Sequence, residues 1–242
     1  MAESLNSALI ENSTTVNRVI VQSEAGVTLV GGGPVSRRDL ALSLARAPVV
    51  VAADGGADRV LAAGLTPEAV IGDLDSISAA ALAATPPGRL HEIAEQDSTD
   101  FDKALRSIRA PFVLGLGFTG ARIDHGLAVL NTLVRHAGQV CVVIGPQDIV
   151  FACPPVLTLR LRVGDRVSLF PLGPVTGRST GLTWPVDGLA FAPGGQIGTS
   201  NIASACEVTL AYPEPGMLVI LPRNRLDAAL AGLGVAPAKR PA

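Results

Sequence analysis

The sequence predicts an α/β part with a mostly parallel sheet over residues 24–153, followed by an all-β, sandwich-like part over 154–242. Three observations carry this. Up to about residue 150, short apolar runs alternate with helix-like stretches. Beyond Pro154 the pattern becomes short strands punctuated by Gly and Pro. The charge changes at the same place: residues 1–149 carry 16 acidic and 11 basic side chains (net −5), and residues 150–242 carry 5 and 8 (net +3).

In chain order, the first part reads as a strand at 27–30, a helix at 38–47, a strand at 49–52 and a helix at 57–63. Strands at 69–71, 112–116 and 140–144 follow, with a helix over 125–136 between the last two. The second part reads as strands at 157–163, 166–170, 189–191, 207–212 and 217–221. Thr158-Leu159-Arg160-Leu161-Arg162-Val163 alternates polar and apolar, as a half-buried strand does.

Residues 1–23 have no basic stretch ahead of an apolar run and read as a flexible N-terminal segment without a secretory signal. No apolar run is long enough for a membrane span, so no membrane partner is expected. A net charge of −2 argues against a nucleic-acid binder. The three cysteines form no C-x-x-C and no Cys/His cluster, which disfavours a disulfide scaffold or zinc site and makes the cytoplasm the expected location.

Five clusters in the first part carry chemistry. Gly31-Gly32-Gly33-Pro34 follows a strand, where glycines let backbone N–H groups approach phosphates; a plain strand-to-helix turn also fits. Asp54-Gly55-Gly56-Ala57 also ends a strand, where open α/β sheets bind ligands, and Asp54 equally suits a helix cap. In Gly72-Asp73-Leu74-Asp75-Ser76, an extended backbone would point Asp73 and Asp75 the same way. Two such carboxylates either raise a pKa or need a cation between them, and Mg2+ suits them because it leaves positions for water and phosphate oxygens; a solvated turn is the bland alternative.

The fourth cluster is Gln96-Asp97-Ser98-Thr99-Asp100-Phe101-Asp102-Lys103. Thr99 with Asp102 fits a capping box, the role preferred for Asp102. Asp100 and Lys103 share a helical face and suit metal and phosphate. Lys103 stands out because the chain has two lysines against seventeen arginines. The fifth is Gly120-Ala121-Arg122-Ile123-Asp124-His125, in which the Arg122 fork suits phosphate oxygens and His125 is either a ligand contact or an early-turn polar residue. In the second part, Trp184 is the sole tryptophan and offers a platform for a flat heterocycle, or packs in the core. Gly198-Thr199-Ser200-Asn201 offers groups to orient a polar ligand, or forms a tight turn.

Other motifs fall short. Gly115-x-Gly117-x-x-Gly120 matches a dinucleotide fingerprint but lacks the acidic residue some 20 positions on. Asp73-x-Asp75 resembles the start of an aspartyl-phosphate phosphatase, yet only isolated acids follow Lys103. No Walker A sequence occurs.

Taken in order, Asp54-Gly-Gly-Ala57, Gly72-Asp-x-Asp-Ser76, Gln96-Asp-x-Thr-Asp-x-x-Lys-Ala-Leu105, Arg122-x-Asp-His125, Thr183-Trp-Pro185 and Thr199-Ser-Asn201 resemble the thiamine pyrophosphokinases. With the Gly31–Gly33 loop the resemblance spans roughly 27–222. It implies an ATP-binding α/β domain, a thiamine-binding β-domain, Mg2+, and a homodimer with active sites at the subunit interface. The implied reaction moves a diphosphoryl group from ATP to thiamine and releases AMP. In that reading Asp73, Asp75 and Asp100 hold the metal, with Asp97 close by. Gly31–Gly33, Asp54, Gly55, Gly56, Arg122, Asp124 and His125 seat the nucleotide, with Lys103 offsetting phosphate charge. Asp100 or Asp97 takes the hydroxyl proton, Trp184 stacks on thiamine, and Ser200 and Asn201 bond its polar edge. Two departures stand out: Ala121 and Ile202 occupy positions where the family commonly has Gly and Glu. The competing expectations are a nicotinamide-dependent oxidoreductase using the 115–120 glycines, and a non-catalytic thiamine or nucleotide sensor.

Overall fold

A computed structural model describes residues 18–120 and 122–235. The expected segment at 1–23 and the Ala121 departure therefore lie largely or wholly outside the described residues. The first part comprises β1 (Val21–Gln22), β2 (Val27–Val30), α1 (Arg37–Leu44), β3 (Val49–Ala53), α2 (Gly56–Ala62), β4 (Ala69–Gly72), α3 (Ala79–Ala84) and β5 (Leu90–Glu92). It continues with α4 (Asp100–Arg106), β6 (Ile108–Arg109), β7 (Val113–Leu116), α5 (Ile123–Arg135), β8 (Cys141–Ile144) and β9 (Asp148–Ala152). The second part holds β10 (Val156–Arg160), β11 (Arg166–Pro171), β12 (Val175–Thr176), β13 (Arg178–Thr180), β14 (Ala190–Phe191), β15 (Gly198–Ile202), β16 (Glu207–Ala211), β17 (Met217–Pro222) and α6 (Leu226–Gly232).

Strands β8, β7, β2, β3, β4 and β5 lie side by side and parallel. Their residues are mostly buried on both faces, as parallel strands covered by helices are. The sheet does not stop there. β9 turns back antiparallel on β8, and β17, β11 and β15 follow antiparallel, giving one mixed sheet of 10 strands.

The second part is thus β-rich, but where the sequence predicts a sandwich-like domain the structure shows no sandwich complete in itself. Three of its strands extend the first sheet, and β10-β16-β13 forms the facing layer. Nor is it all-β: α6 buries Leu226, Ala229 and Leu230. One apolar cluster runs from Val30 and Leu116 through Phe151 to Leu210 and Leu230, so the core is continuous past residue 153. The expected strand at 157–163 ends at Arg160, because Asp165 accepts the Arg162 amide at 2.7 Å and folds the chain into a turn.

Sequence chemistry sets the helix starts near the site. Ser36 and Asp39 form a capping box on α1, Ser78 caps α3, and Thr99 caps α4. Chain order places β2 between β3 and β7, where the winding reverses direction. In such sheets the crevice beyond the carboxyl ends of the strands at this point is the ligand site.

Candidate active site

At that crevice lies a cleft of about 450 Å3 lined by the loops after β2, β3, β4 and β7 and by the starts of α4 and α5. Nine of the sequence-expected residues line it: Gly31, Gly32, Gly33, Asp54, Gly55, Asp73, Asp100, Arg122 and His125. The glycines permit close approach. A Cβ on Gly33 would sit 2.5 Å from the Gly117 carbonyl oxygen, and one on Gly56 would sit 1.9 Å from that of Val30. The amides of Gly31 and Gly33 donate to Leu116 and Gly117 carbonyls, so the loop is welded to β7.

Register explains the acidic cluster. Ala53 pairs with Ile71 across β3 and β4, so the residues just beyond both strands, Asp54 and Asp73, emerge side by side. Carboxylate oxygens of Asp54, Asp73 and Asp75 lie within 4.8 Å of one another. The sequence marks Asp54 as a nucleotide contact; its place among the carboxylates follows only from strand order, which a single sequence does not state. Asp73 and Asp75 meet for a different reason than expected. β4 ends at Gly72, the backbone bends with Leu74 at φ 61°, and the Asp75 amide donates to Asp73 Oδ1 at 3.4 Å. A folded loop, not an extended strand, brings them together.

Asp100 joins from α4. A Cβ on Gly72 would lie 2.8 Å from Asp54 Cβ and 3.1 Å from Asp100 Oδ1, so the missing side chain is what lets these two carboxylates face each other. Burial, then the charge of Asp100, raises the Asp54 carboxyl. Burial, then the charge of Asp73, raises Asp100. Asp54 Oδ1 and Asp100 Oδ1 are buried without a hydrogen-bond partner, while Asp54 Oδ2 accepts the Ser76 amide at 3.1 Å.

Lys103 is 1% exposed and donates to Asp73 Oδ2 at 3.1 Å, with Asp100 Oδ1 at 3.6 Å. Burial pushes Asp73 up, but Lys103's hydrogen bond and charge, with the Asp75 amide and Gln96, hold it below the usual carboxylate range. Asp97 is exposed and does not line the cleft. Its amide donates instead to Glu95 Oε2 at 2.7 Å. Glu95, which drew no attention in the sequence, also accepts from the Ser98 amide and hydroxyl and from Arg106 at 2.7 Å. Thr99 caps α4 as expected, but the Asp102 carboxylate turns away to Arg135 and His136 rather than back to the cap. At the mouth, Arg122 pairs with Asp124 at 2.6 Å, and this bond lowers Asp124 to about 2.

Trp184, Ser200 and Asn201 cluster elsewhere and do not line this cleft. Trp184 is 57% exposed, which excludes a core role. Asn201 is 5% exposed: its Oδ1 accepts the Trp184 amide at 3.2 Å and its Nδ2 donates to the Trp184 carbonyl at 2.7 Å. Its amide thus holds the Trp184 backbone from both sides. Among the described residues, the non-glycines with left-handed φ are Asp54 and Leu74, in the loops of the acidic cleft, and Ser200, within β15. Such strain tends to gather at functional sites.

Residues 40–144 match the thiamin pyrophosphokinase catalytic domain, and residues 156–215 match that family's vitamin B1 binding domain. The chain belongs to the thiamin pyrophosphokinase family. It is 29% identical to thiamine pyrophosphokinase 1 of Oryza sativa subsp. japonica, over 74% of this chain and 81% of that protein. A thiamin pyrophosphokinase structure from Geobacillus thermodenitrificans aligns with TM-score 0.66 and 25% identity, covering 81% of this chain and 96% of its own. The Candida albicans thiamin pyrophosphokinase aligns with TM-score 0.70 at 16% identity, over 84% and 93%, and shares the fold. Within the family pattern, Ile202 stands on β15 at 36% exposure, beside the Asn201 that holds the Trp184 loop.

Proposed function

We propose that this chain transfers a diphosphoryl group from ATP to the primary hydroxyl of thiamine, with Mg2+, giving thiamine diphosphate and AMP. Family membership makes it a transferase of thiamine diphosphate synthesis by pyrophosphoryl transfer. The observation that carries the rest is the acidic cleft at the switch point, with two buried carboxylate oxygens that accept no hydrogen bond. Hard oxygen donors so arranged fit a divalent cation, and repulsion among them is what a cation relieves. Asp73, Asp75 and Asp100 would hold Mg2+, with Asp54 joining them. When bound, the ion neutralises charge on the phosphates.

The chain's own groups supply positioning. The Gly31–Gly33 loop and Gly55 form the floor against which the polyphosphate lies. Lys103 and Arg122 offset its charge, Arg122 by exchanging Asp124 for phosphate oxygens. Gly56 holds α2 close beneath, and His125 faces the same cleft. The thiamine oxygen attacks the β-phosphorus in line, the new O–P bond forms, and the bond from that phosphorus to the oxygen bridging it to the α-phosphorus breaks, that oxygen leaving with AMP. Asp100 is better placed than Asp97 to accept the hydroxyl proton, because it lines the cleft and Asp97 does not. Trp184 stacks on a thiamine ring, with Ser200 at its polar edge and Asn201 holding the loop.

The thiamine residues lie apart from the acidic cleft on one chain, which supports a homodimer whose sites are completed by a second copy. Exposed Ile123 and Leu127 beside the cleft, and exposed Trp184 and Ile202, are apolar surface for that contact. The two family matches fall on either side of residues 145–155, which supports a working division near 153 between nucleotide and thiamine halves. No helix among the described residues is long and apolar enough to cross a membrane. We place the enzyme in the cytoplasm, in keeping with its three unpaired cysteines.

The test is AMP release from ATP and Mg2+, with and without thiamine, alongside thermal shifts with nucleotides. Thiamine-dependent AMP and stabilisation by ATP with Mg2+ are expected. Stabilisation by NAD(P) instead would favour the oxidoreductase, and thiamine or nucleotide binding without AMP would favour the sensor.

A further inference from the structure

We infer that Asp102 is a positioning residue for the transfer reaction: its buried carboxylate clamps the carboxyl end of α5 to α4 and thereby sets Asp100 at the cleft and Lys103 against Asp73. The inference rests on the function proposed above for that cleft.

Asp102 is 2% exposed and does not line the cleft. Its Oδ2 accepts from Arg135 Nη1 at 2.9 Å, and its Oδ1 lies 2.8 Å from His136 Nε2. Both partners come from the last turn and cap of α5, where the unpaired carbonyls of a helix end favour cations. On α4, Asp100 and Lys103 are three positions apart and share a face, while Asp102 points about 100° away from Lys103. The helix therefore presents Asp100 to the cleft and Lys103 to the Asp73 carboxylate on one side, and one anchored carboxylate to α5 on the other. Rotation or sliding of α4 that moved Asp100 would have to break the anchor.

An apolar contact would stabilise this helix pair at least as well, because a buried ion pair gains little net stability over well-packed hydrophobic groups. What a doubly bonded carboxylate adds is a fixed orientation. The same α5 carries Arg122 and His125 at its other end, about 20 Å away by helix rise. The clamp therefore ties two sets of cleft residues to a single point.

The experiment replaces Asp102 with Leu, Asn and Glu in the full chain. It reads kcat, the thiamine KM, the Mg2+ concentration for half-maximal rate, and the rise in Tm on adding Mg2+. For Asp102→Leu and Asp102→Asn, kcat falls about tenfold. Half-saturating Mg2+ rises several-fold, the thiamine KM stays within about twofold, and Asp102→Glu recovers part of the loss. Variants that melt lower yet keep wild-type kcat and Mg2+ response at 25 °C would overturn the inference. If Asp102→Leu does not fold, the double variant Arg135→Gln/His136→Gln is judged by the same readings, since its side chains are 58% and 24% exposed. The Mg2+-induced rise in Tm reads the acidic cleft without turnover. An unchanged rise in the variants sinks the clamp, whereas absent AMP release by the wild type sinks the function.

Discussion

The ammonium of Lys103 lies 3.1 Å from Asp73 Oδ2, with 2% of its side chain exposed, inside the acidic cluster. It offsets part of the repulsion among Asp54, Asp73 and Asp100. Lys103→Met keeps the stem's packing and removes the charge. The metal-free variant should melt several degrees below wild type, and saturating Mg2+ should recover more Tm than it adds to wild type. Turnover should fall at least a hundredfold, the loss of one charge at a phosphoryl site costing about 3 kcal/mol. Differential scanning calorimetry with and without Mg2+ checks the first two expectations.

Asp54 and Asp100 titrate above the ordinary carboxylate range, through burial first and then their neighbours' charges. A raised carboxyl favours the fold below its unfolded pKa, and that advantage is lost as pH rises through the raised value. At neutral pH both groups therefore cost stability in the absence of a cation. Asp54→Asn keeps an oxygen for the Ser76 amide and should make the metal-free protein more stable at pH 7, by about 2–4 °C per kcal/mol relieved. The gain should vanish below about pH 4. It should be matched by loss of the Mg2+-induced rise in Tm. Equal melting of wild type and variant at every pH would mean the carboxylates do not repel one another.

How far the site could be read from sequence depends on the distance over which each contact acts. Asp73 with Asp75, the Thr99 cap, and Asp100 with Lys103 are local patterns, and each was visible. Asp54 joins the cluster only through the pairing of β3 with β4, and a single sequence does not state strand order. Asn201 reads as a ligand-facing amide until its 17-residue link to Trp184 is seen. The alternation of β10 was legible, but β9 and β17 are simply apolar. Nothing in such runs says that they carry one sheet past residue 153.

Glu95 holds the 95–98 turn. Burial pushes its carboxyl up, but hydrogen bonds from Ser98, Arg106 and the Asp97 amide, with the charge of Arg106, pull it down to about 2. A lowered carboxyl contributes stability above its unfolded pKa, and this is lost as pH falls towards the folded value. Glu95→Gln should cost about 1–3 kcal/mol at pH 7 and little at pH 2, read by urea melts at both pH values. Turnover should fall as well, because Gln96, which donates to Asp73 at 3.3 Å, sits in the same turn.

The Trp184 N–H and carbonyl are both bonded by one buried side-chain amide, that of Asn201, so the stacking ring and the support of its backbone can be tested separately. Trp184→Ala removes the stacking surface and should raise the thiamine KM by about 1–3 kcal/mol in free-energy terms, with little change in the KM for ATP. Asn201→Ala leaves the ring intact but frees its backbone, and strands the Trp184 and Ile202 amides that Asn201 Oδ1 accepts. It should raise the same KM and also lower stability by about 2 kcal/mol. If Asn201 acts only through Trp184, the double variant should bind thiamine no worse than Trp184→Ala alone. Additive losses in KM would instead mean that Asn201 touches thiamine itself, and its bonds to the loop would then be incidental.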